Sequence, residues 1–429
     1  MDFIIKVRKI SQWLVAIGVF LPNFLELPLL FLSVLIISFK REKWYASKII
    51  VYLIIIFSCS ITTICILGYD FNKAVQQIFF LSLFVLLYEQ FFIHYKNDIV
   101  SIFRKYIIVS YYICFLGLVQ EFIYCLANIN IMHILPGYYA DHYIFGGLLR
   151  VTSTLCEGGW LGTSVIPALV YLFYYNDKFC ILGKKRFVVL LASILTVSPF
   201  VYCFFFILIV LKLKGKLRFV KKFAKLVSVA TVAYVGLLIV NHEYDEKDTG
   251  LNNILIRLHD TYKIITNMNE NDLNTLLSYS GNTSTSVIAI NMYIGFHAPS
   301  RLLGTGIGTN AQSYKKIVDV EDSLELNLDD GYSLFNRILS EFGILGISLY
   351  VLCIFKFYNR KNSLNICFLC MIACLFCRGG NYMFYGTVFV HFLYYYTSKF
   401  NLDLKDATNY YYSNIQCGST NEYNIEGKT

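Results

Sequence analysis

Charge is scarce in this chain. Asp, Glu, Lys and Arg make up 15% of its 429 residues, against 57% apolar and 17% aromatic, and the mean hydropathy is +0.56. That balance excludes the two or three soluble domains that the length alone would allow. No small-residue cleavage site follows the first apolar run, so no removable signal peptide is expected. No cysteine falls between 241 and 334, and nearly all the others lie inside apolar runs, which excludes a disulfide framework. Cys367, Cys370, Cys374 and Cys377 would line one helix face, but no histidine accompanies them, so they read as small packing residues. The segments between apolar runs contain neither HExxH nor repeated Asp-x-Asp, so neither metal nor cofactor is expected. No internal repeat is visible, which weighs against a transporter built from two related halves.

What is present is a series of apolar runs, including 48–68, 74–94 and 105–126 and a shorter one at 226–240. Crossing a hydrocarbon core takes about 20 such residues, so the chain reads as an all-α polytopic membrane protein. The net charge of +9 would suggest nucleic acid in a soluble protein. Here Lys and Arg collect in short loops between apolar runs, as loops kept in the cytoplasm do, and no nucleic-acid partner is expected.

Three stretches are too long for one helix and have basic clusters at both ends. Residues 10–39 are broken at Pro22, Asn23 and Glu26, residues 187–211 at Ser198-Pro199, and residues 363–397 at "CRGGNY". If both ends are cytoplasmic, each stretch is a hairpin, and polar breaks at that depth need protein or a wet cavity around them. The result is about twelve crossings with both termini inside. The cations outside the clusters are Lys73, Arg150, Lys247, Arg257, Lys263, Arg301, Lys315, Lys316, Arg337 and Arg378, all assigned to the outer side. The expected organisation is a transmembrane bundle over 1–240 with an outer loop at 127–158, then a large outer loop at 241–334. Further transmembrane helices at 335–398 and a cytoplasmic tail at 399–429 complete it. Within the large loop, 251–266 has the pattern of an amphipathic helix, and a second helical piece spans about 284–296.

Three patterns carry the candidate chemistry. "RLLGTGIGTN" (301–310) places Arg301 ahead of Gly304, Gly306 and Gly308. Glycine lets backbone N–H groups approach an anion, and a guanidinium binds phosphate oxygens in pairs. The stretch lacks the Lys-Ser/Thr ending of a P-loop, and ATP and GTP are absent from the outer face. The plainer reading is a tight turn before the next helix. Arg150 stands seven residues before Glu157, where the first outer loop meets a membrane helix, either as part of a site or as a structural Arg150–Glu157 pair. "DDGYSLFNRILSEFGILGISLY" (329–350) puts Asp329 and Asp330 ahead of an apolar helix in which Arg337 and Glu341 can neutralise each other. The two aspartates read as helix caps or as a general base for a hydroxyl.

The order of these features resembles the bacterial O-antigen and capsule polymerases (Wzy-type) and their relatives, the O-antigen ligases. It consists of an arginine followed by "TSTLCEGG", a broken hairpin at "TVSPF", a large outer loop reaching "RLLGTGIG", and the re-entry "DDGYSLFNRILSEFGILG". The resemblance implies a GT-C-like, metal-independent, inverting glycosyltransferase of the bacterial inner membrane. Such an enzyme moves a growing glycan from undecaprenyl diphosphate onto a new undecaprenyl-diphosphate-linked repeat unit on the periplasmic face. It implies that Arg150, Arg301, Arg257 and Arg337, with Gly304, Gly306 and Gly308, hold the diphosphates. Asp330, Asp329 and Glu157 become the candidates for proton transfer, and a chain-length regulator becomes a possible partner. Ligases carry a histidine near the end of the long loop. Here Asp329-Asp330-Gly331 stands in that region and His242, His259 and His297 lie elsewhere, which favours polymerase over ligase. A flippase for the same lipid-linked oligosaccharide is the remaining alternative.

Overall fold

The computed structural model describes residues 2–38, 48–134, 149–155, 157–177, 181–196, 198, 201–202, 204–208, 284–317 and 331–399. These residues are helical, with no strand among them. In chain order the helices are α1 (Asp2–Gly18), α2 (Asn23–Ser38), α3 (Lys48–Leu67), α4 (Asn72–His94) and α5 (Ile99–Ala127). Then come α6 (Gly158–Ser164), α7 (Ile166–Leu169), α8 (Arg186–Leu195) and α9 (Ser284–His297). The last four are α10 (Asn310–Ile317), α11 (Leu334–Lys356), α12 (Ser363–Cys377) and α13 (Thr387–Ser398). Four of them, α3, α4, α5 and α11, are long and apolar enough to cross a membrane, and the chain is a membrane-embedded helical protein.

The first and last of the three long stretches fold back on themselves. In α1–α2, Ser11 Oγ and Ser33 Oγ lie 2.7 Å apart across a turn at 19–22. In α12–α13, Asn365 Nδ2 donates to the Tyr394 carbonyl at 2.8 Å and Asn362 Nδ2 to that of Thr397 at 2.8 Å, which makes the pair antiparallel. Between them, residues 378–386 leave helical geometry, with positive φ at Gly379 (109°), Tyr385 (45°) and Gly386 (74°). The middle stretch begins as α8. Near its break, Tyr202 Oη donates back to the Ile194 carbonyl at 2.7 Å.

Helices in lipid gain nothing from excluding water, so packing and interhelical hydrogen bonds must hold them, the latter at about 0.6 kcal/mol each. Both are present. Phe92 stacks on Phe392 at 5.7 Å, and Phe103 meets Phe368 edge-on at 5.5 Å. Tyr88 donates from the same aromatic core to the buried Glu26 carboxylate at 2.6 Å.

The contacts separate two ends. At one, Arg8 lies over Tyr95, Lys105 Nζ donates to Gln12, and Asn359 Nδ2 reaches the carbonyl of Ser398. The basic residues Lys356, Arg360, Lys361 and Lys399 share that end with them. At the other end the breaks of the hairpins converge. Thr154 Oγ1 donates to the Phe20 carbonyl at 2.6 Å, Trp160 packs on Tyr385 with ring centroids 5.2 Å apart, and Gly386 sits against Val19.

Candidate functional site

The glycine stretch is a wedge. It enters among α3, α4 and α11, and each glycine is required by how close it comes. Gly304, Gly306 and Gly308 have φ of 75°, 101° and 79°. A Cβ on Gly304 would stand 2.4 Å from the backbone of Glu341, one on Gly306 2.4 Å from Ile64, and one on Gly308 3.0 Å from the backbone of Ala74. The helix it enters is broken to receive it: Gly343, inside α11, has φ 66°. Across that break Ile344 N donates to the Arg301 carbonyl at 2.9 Å and Leu345 N to that of Leu302 at 3.1 Å.

This geometry corrects the anion-cradle reading of the three glycines. Thr305 N donates to the Ser340 carbonyl at 2.9 Å and Gly306 N to the Glu341 carbonyl at 2.8 Å. Ile307 N donates to Ser60 Oγ at 2.6 Å and Gly308 N to Glu341 Oε1 at 2.9 Å. A buried N–H must have a partner, and these have found theirs in the protein. The plainer reading, a tight turn, comes closer, although the turn serves a helix already formed rather than the next one. The following helix, α10, is fastened to the α3–α4 turn. Asp70 N and Gln312 Oε1 are 2.8 Å apart, and Lys316 Nζ donates to the Leu67 carbonyl at 3.2 Å.

Beneath the wedge lies a buried ion pair. Arg337 and Glu341 are 2% and 0% exposed, 3.3 Å apart and one helical turn apart, as their spacing predicts. Arg337 also donates to Gln77 Oε1 at 2.6 Å and to the Gly380 carbonyl at 3.0 Å, and its guanidinium carbon lies 4.2 Å from the centroid of the Tyr382 ring. Glu341 accepts further from Tyr382 Oη at 2.7 Å. Arg337 is therefore enclosed by protein, which corrects its assignment to a diphosphate. A guanidinium with each of its three nitrogens bonded to the protein and its surface covered has no face to offer a ligand.

Arg150, Glu157 and Arg378 gather around the start of α6. Glu157 pairs with Arg378, not with Arg150, so the structural Arg150–Glu157 pair, one of the two readings of these residues, is not formed. Arg150 Nε instead donates to the Thr196 carbonyl at 3.0 Å. Gly158 and Gly159 make the arrangement possible. The Thr196 carbonyl lies 2.7 Å from where a Gly158 Cβ would be, and the Arg378 guanidinium carbon 2.5 Å from where a Gly159 Cβ would be. The Arg378 guanidinium thus stands directly against Gly159, while Arg150 is linked to the neighbouring Gly158 through the Thr196 carbonyl. Arg378 also lies over the Tyr332 ring at 5.5 Å, and Gly379 N donates to the Tyr332 carbonyl at 2.9 Å, which ties the hairpin break to the start of α11. Glu157 stays partly open, its side chain 30% exposed against 9% for Arg378.

Arg301 is exposed, beside Leu302 (64%) and Leu303 (54%). Arg257, Asp329 and Asp330 lie outside the described residues, as do 251–266 and the tail after 399. The cap of α11 is Ser333, whose hydroxyl accepts from Asn336 N at 3.1 Å. The residues missed in the sequence are Gln77 and Tyr382, together with the pairing role of Arg378. The signal for two of them lay in "CRGGNYMFYG", a polar break in which an arginine and a tyrosine are held at membrane depth. No protein-family model, no curated protein and no solved structure matches the chain.

Proposed function

We propose that this chain is an O-antigen or capsular polysaccharide polymerase with about twelve membrane crossings and both termini cytoplasmic, working on the periplasmic side of the bacterial inner membrane. It transfers a growing glycan from undecaprenyl diphosphate onto a lipid-linked repeat unit. The observation that carries the reading is the gathering of Arg150, Arg378 and Glu157 around Gly158-Gly159, where the helix breaks meet and away from the basic end. Cationic side chains held in place before the reaction suit a leaving group that gains charge as it departs.

In this reading the acceptor hydroxyl attacks the anomeric carbon from the face opposite the diphosphate. A new carbon–oxygen bond forms as the bond to the diphosphate breaks. Arg150, half-buried, stabilises the diphosphate directly, Arg378 adds its charge from beside Glu157, which it holds in position, and a carboxylate takes the hydroxyl proton. Glu157 is available for this on exposure, and Asp330 is the alternative that the resemblance supplies. Arg337 and the glycines hold the frame and do not touch substrate. A chain-length regulator is the expected protein partner.

The test is the polysaccharide banding pattern of a deletion strain that carries plasmid-borne variants. Deletion should leave a single repeat unit on the acceptor. Arg150→Ala and Arg378→Ala should reproduce that pattern at undiminished protein level. Core alone, with long chains accumulating on the carrier lipid, would assign the chain to ligation instead. Normal ladders from both variants would dismiss the site.

A further inference from the structure

We infer that Trp160, Tyr332 and the open oxygen of Glu157 form a subsite for one pyranose ring, that of the acceptor sugar. The inference rests on the glycan reading and deepens it by naming what holds that sugar.

The surroundings of Arg378 carry the argument. Its guanidinium is paired with Glu157, and its central carbon lies 5.5 Å from the centroid of the Tyr332 ring. A Cβ on Gly379 would meet the Trp160 indole at 2.9 Å, so the indole lies against the residue that follows Arg378. Gly379 N in turn donates to the Tyr332 carbonyl at 2.9 Å. An indole and a phenol ring thus adjoin one ion pair. The parts differ in how far they open. The Arg378 side chain is 9% exposed and that of Glu157 30%, and Trp160 and Tyr332 are both partly exposed. Oε1 of Glu157 takes the arginine, while Oε2 accepts no hydrogen bond among the described residues. Tyr385, itself buried, backs the indole at a centroid distance of 5.2 Å.

Backbone strain is concentrated at the same place. Tyr332 and Tyr385 have φ of 61° and 45°, a region that bulky side chains rarely enter. Residues held this way cluster at ligand clamps. Here they fix the phenol ring at Arg378 and the support behind the indole.

The class of ligand follows from the chemistry. An aromatic face takes the C–H groups on one side of a pyranose as it takes other apolar faces. The hydroxyls at the rim of that ring need polar partners, and an ionised carboxylate oxygen accepts from one of them. A cation is disfavoured, because Arg150 and Arg378 outnumber Glu157 here. A bare anion has no use for two rings. A neutral ring with one C–H face and a rim of hydroxyls satisfies both halves of the patch. In the glycan reading the hydroxyl on Glu157 is the attacking one, so the ring held here is the acceptor.

The experiment is saturation-transfer difference NMR of the full chain in phospholipid nanodiscs. The probes are the methyl pyranosides of glucose, galactose, mannose and N-acetylglucosamine. At least one should take up saturation at its ring C–H protons. Trp160→Ala should lower that transfer about fivefold, and Trp160→Phe, which keeps an aromatic face, should fall between. Glu157→Gln, of equal shape, should lower it by about the same factor. Trp13→Phe, beside Lys105 at the basic end, should match the parent. Absence of Trp160-dependent transfer to every probe overturns the inference, and so does equal loss in the Trp160 and Trp13 variants. Full transfer in both Trp160→Phe and Glu157→Gln overturns it even if Trp160→Ala fails to fold. Transfer to tetramethylammonium in place of the glycosides would make the patch a cation cage and refute it. The polymerase reading fails separately. Trp160-dependent transfer, with core alone and long chains on the carrier lipid in the deletion strain, keeps the subsite and removes the polymerase.

Discussion

Removing the Arg337 side chain tests how the wedge is held. Arg337→Ala deletes a 3.3 Å ion pair, hydrogen bonds to Gln77 and Gly380, and the cation over Tyr382. Glu341, fully buried, keeps only Gly308 N and Tyr382 Oη as partners. Breaking a buried pair from one side costs about 3–5 kcal/mol, because the remaining charge has neither water nor a counter-ion. Glu341→Gln keeps an acceptor for Gly308 N but presents its amide NH2 to Tyr382 Oη, which must then accept, and leaves Arg337 without its anion, so its cost should also exceed about 1 kcal/mol. The two losses share one interaction, and the double variant should be more stable than their sum by at least about 1 kcal/mol. Reversible unfolding by dodecyl sulfate in mixed micelles gives all four free energies. A coupling within error of zero would refute the account of the pair as the anchor of the wedge, whatever the size of the single losses.

Two further outcomes follow from the same geometry. Gly304→Ala should abolish a monodisperse chromatographic peak in detergent, since its Cβ meets backbone at 2.4 Å. Gly68→Ala, at φ 66° but with nothing within 4 Å, should cost only about 1–2 kcal/mol and keep the peak. Cysteines introduced at Lys315 and Lys361, both exposed, into a chain freed of reactive thiols should label with a membrane-impermeant maleimide from opposite faces. Labelling of both from one face would remove the assignment of the two ends.

The sequence revealed local features and left long-range ones hidden. A polar break flanked by basic clusters identified the hairpins at 10–39 and 363–397, because charge on one side and length against bilayer thickness constrain the path. Spacing alone paired Arg337 with Glu341. Glycine at every second position of 304–308 signalled close approach, but could not say to what. The N–H of Ile307 meets Ser60, 247 positions away, and Arg378 meets Glu157 across 221 positions. Partners so distant are chosen by packing, and periodicity carries no record of them. The Arg150–Glu157 alternative falls for that reason: nearness along the chain is not nearness in space.

The break in α11 also bears on how the protein is made. When residues 340–345 first enter the membrane, the amide and carbonyl groups around Gly343 have no continuous helix to satisfy them; their partners arrive only when 301–306 folds back. Membrane entry of this element and its completion are therefore separate events. The second must await the gathering of α3 and α4, translated hundreds of residues earlier. A newly made molecule can span the bilayer with its backbone unfinished at this level, and its quality is decided by assembly rather than by insertion.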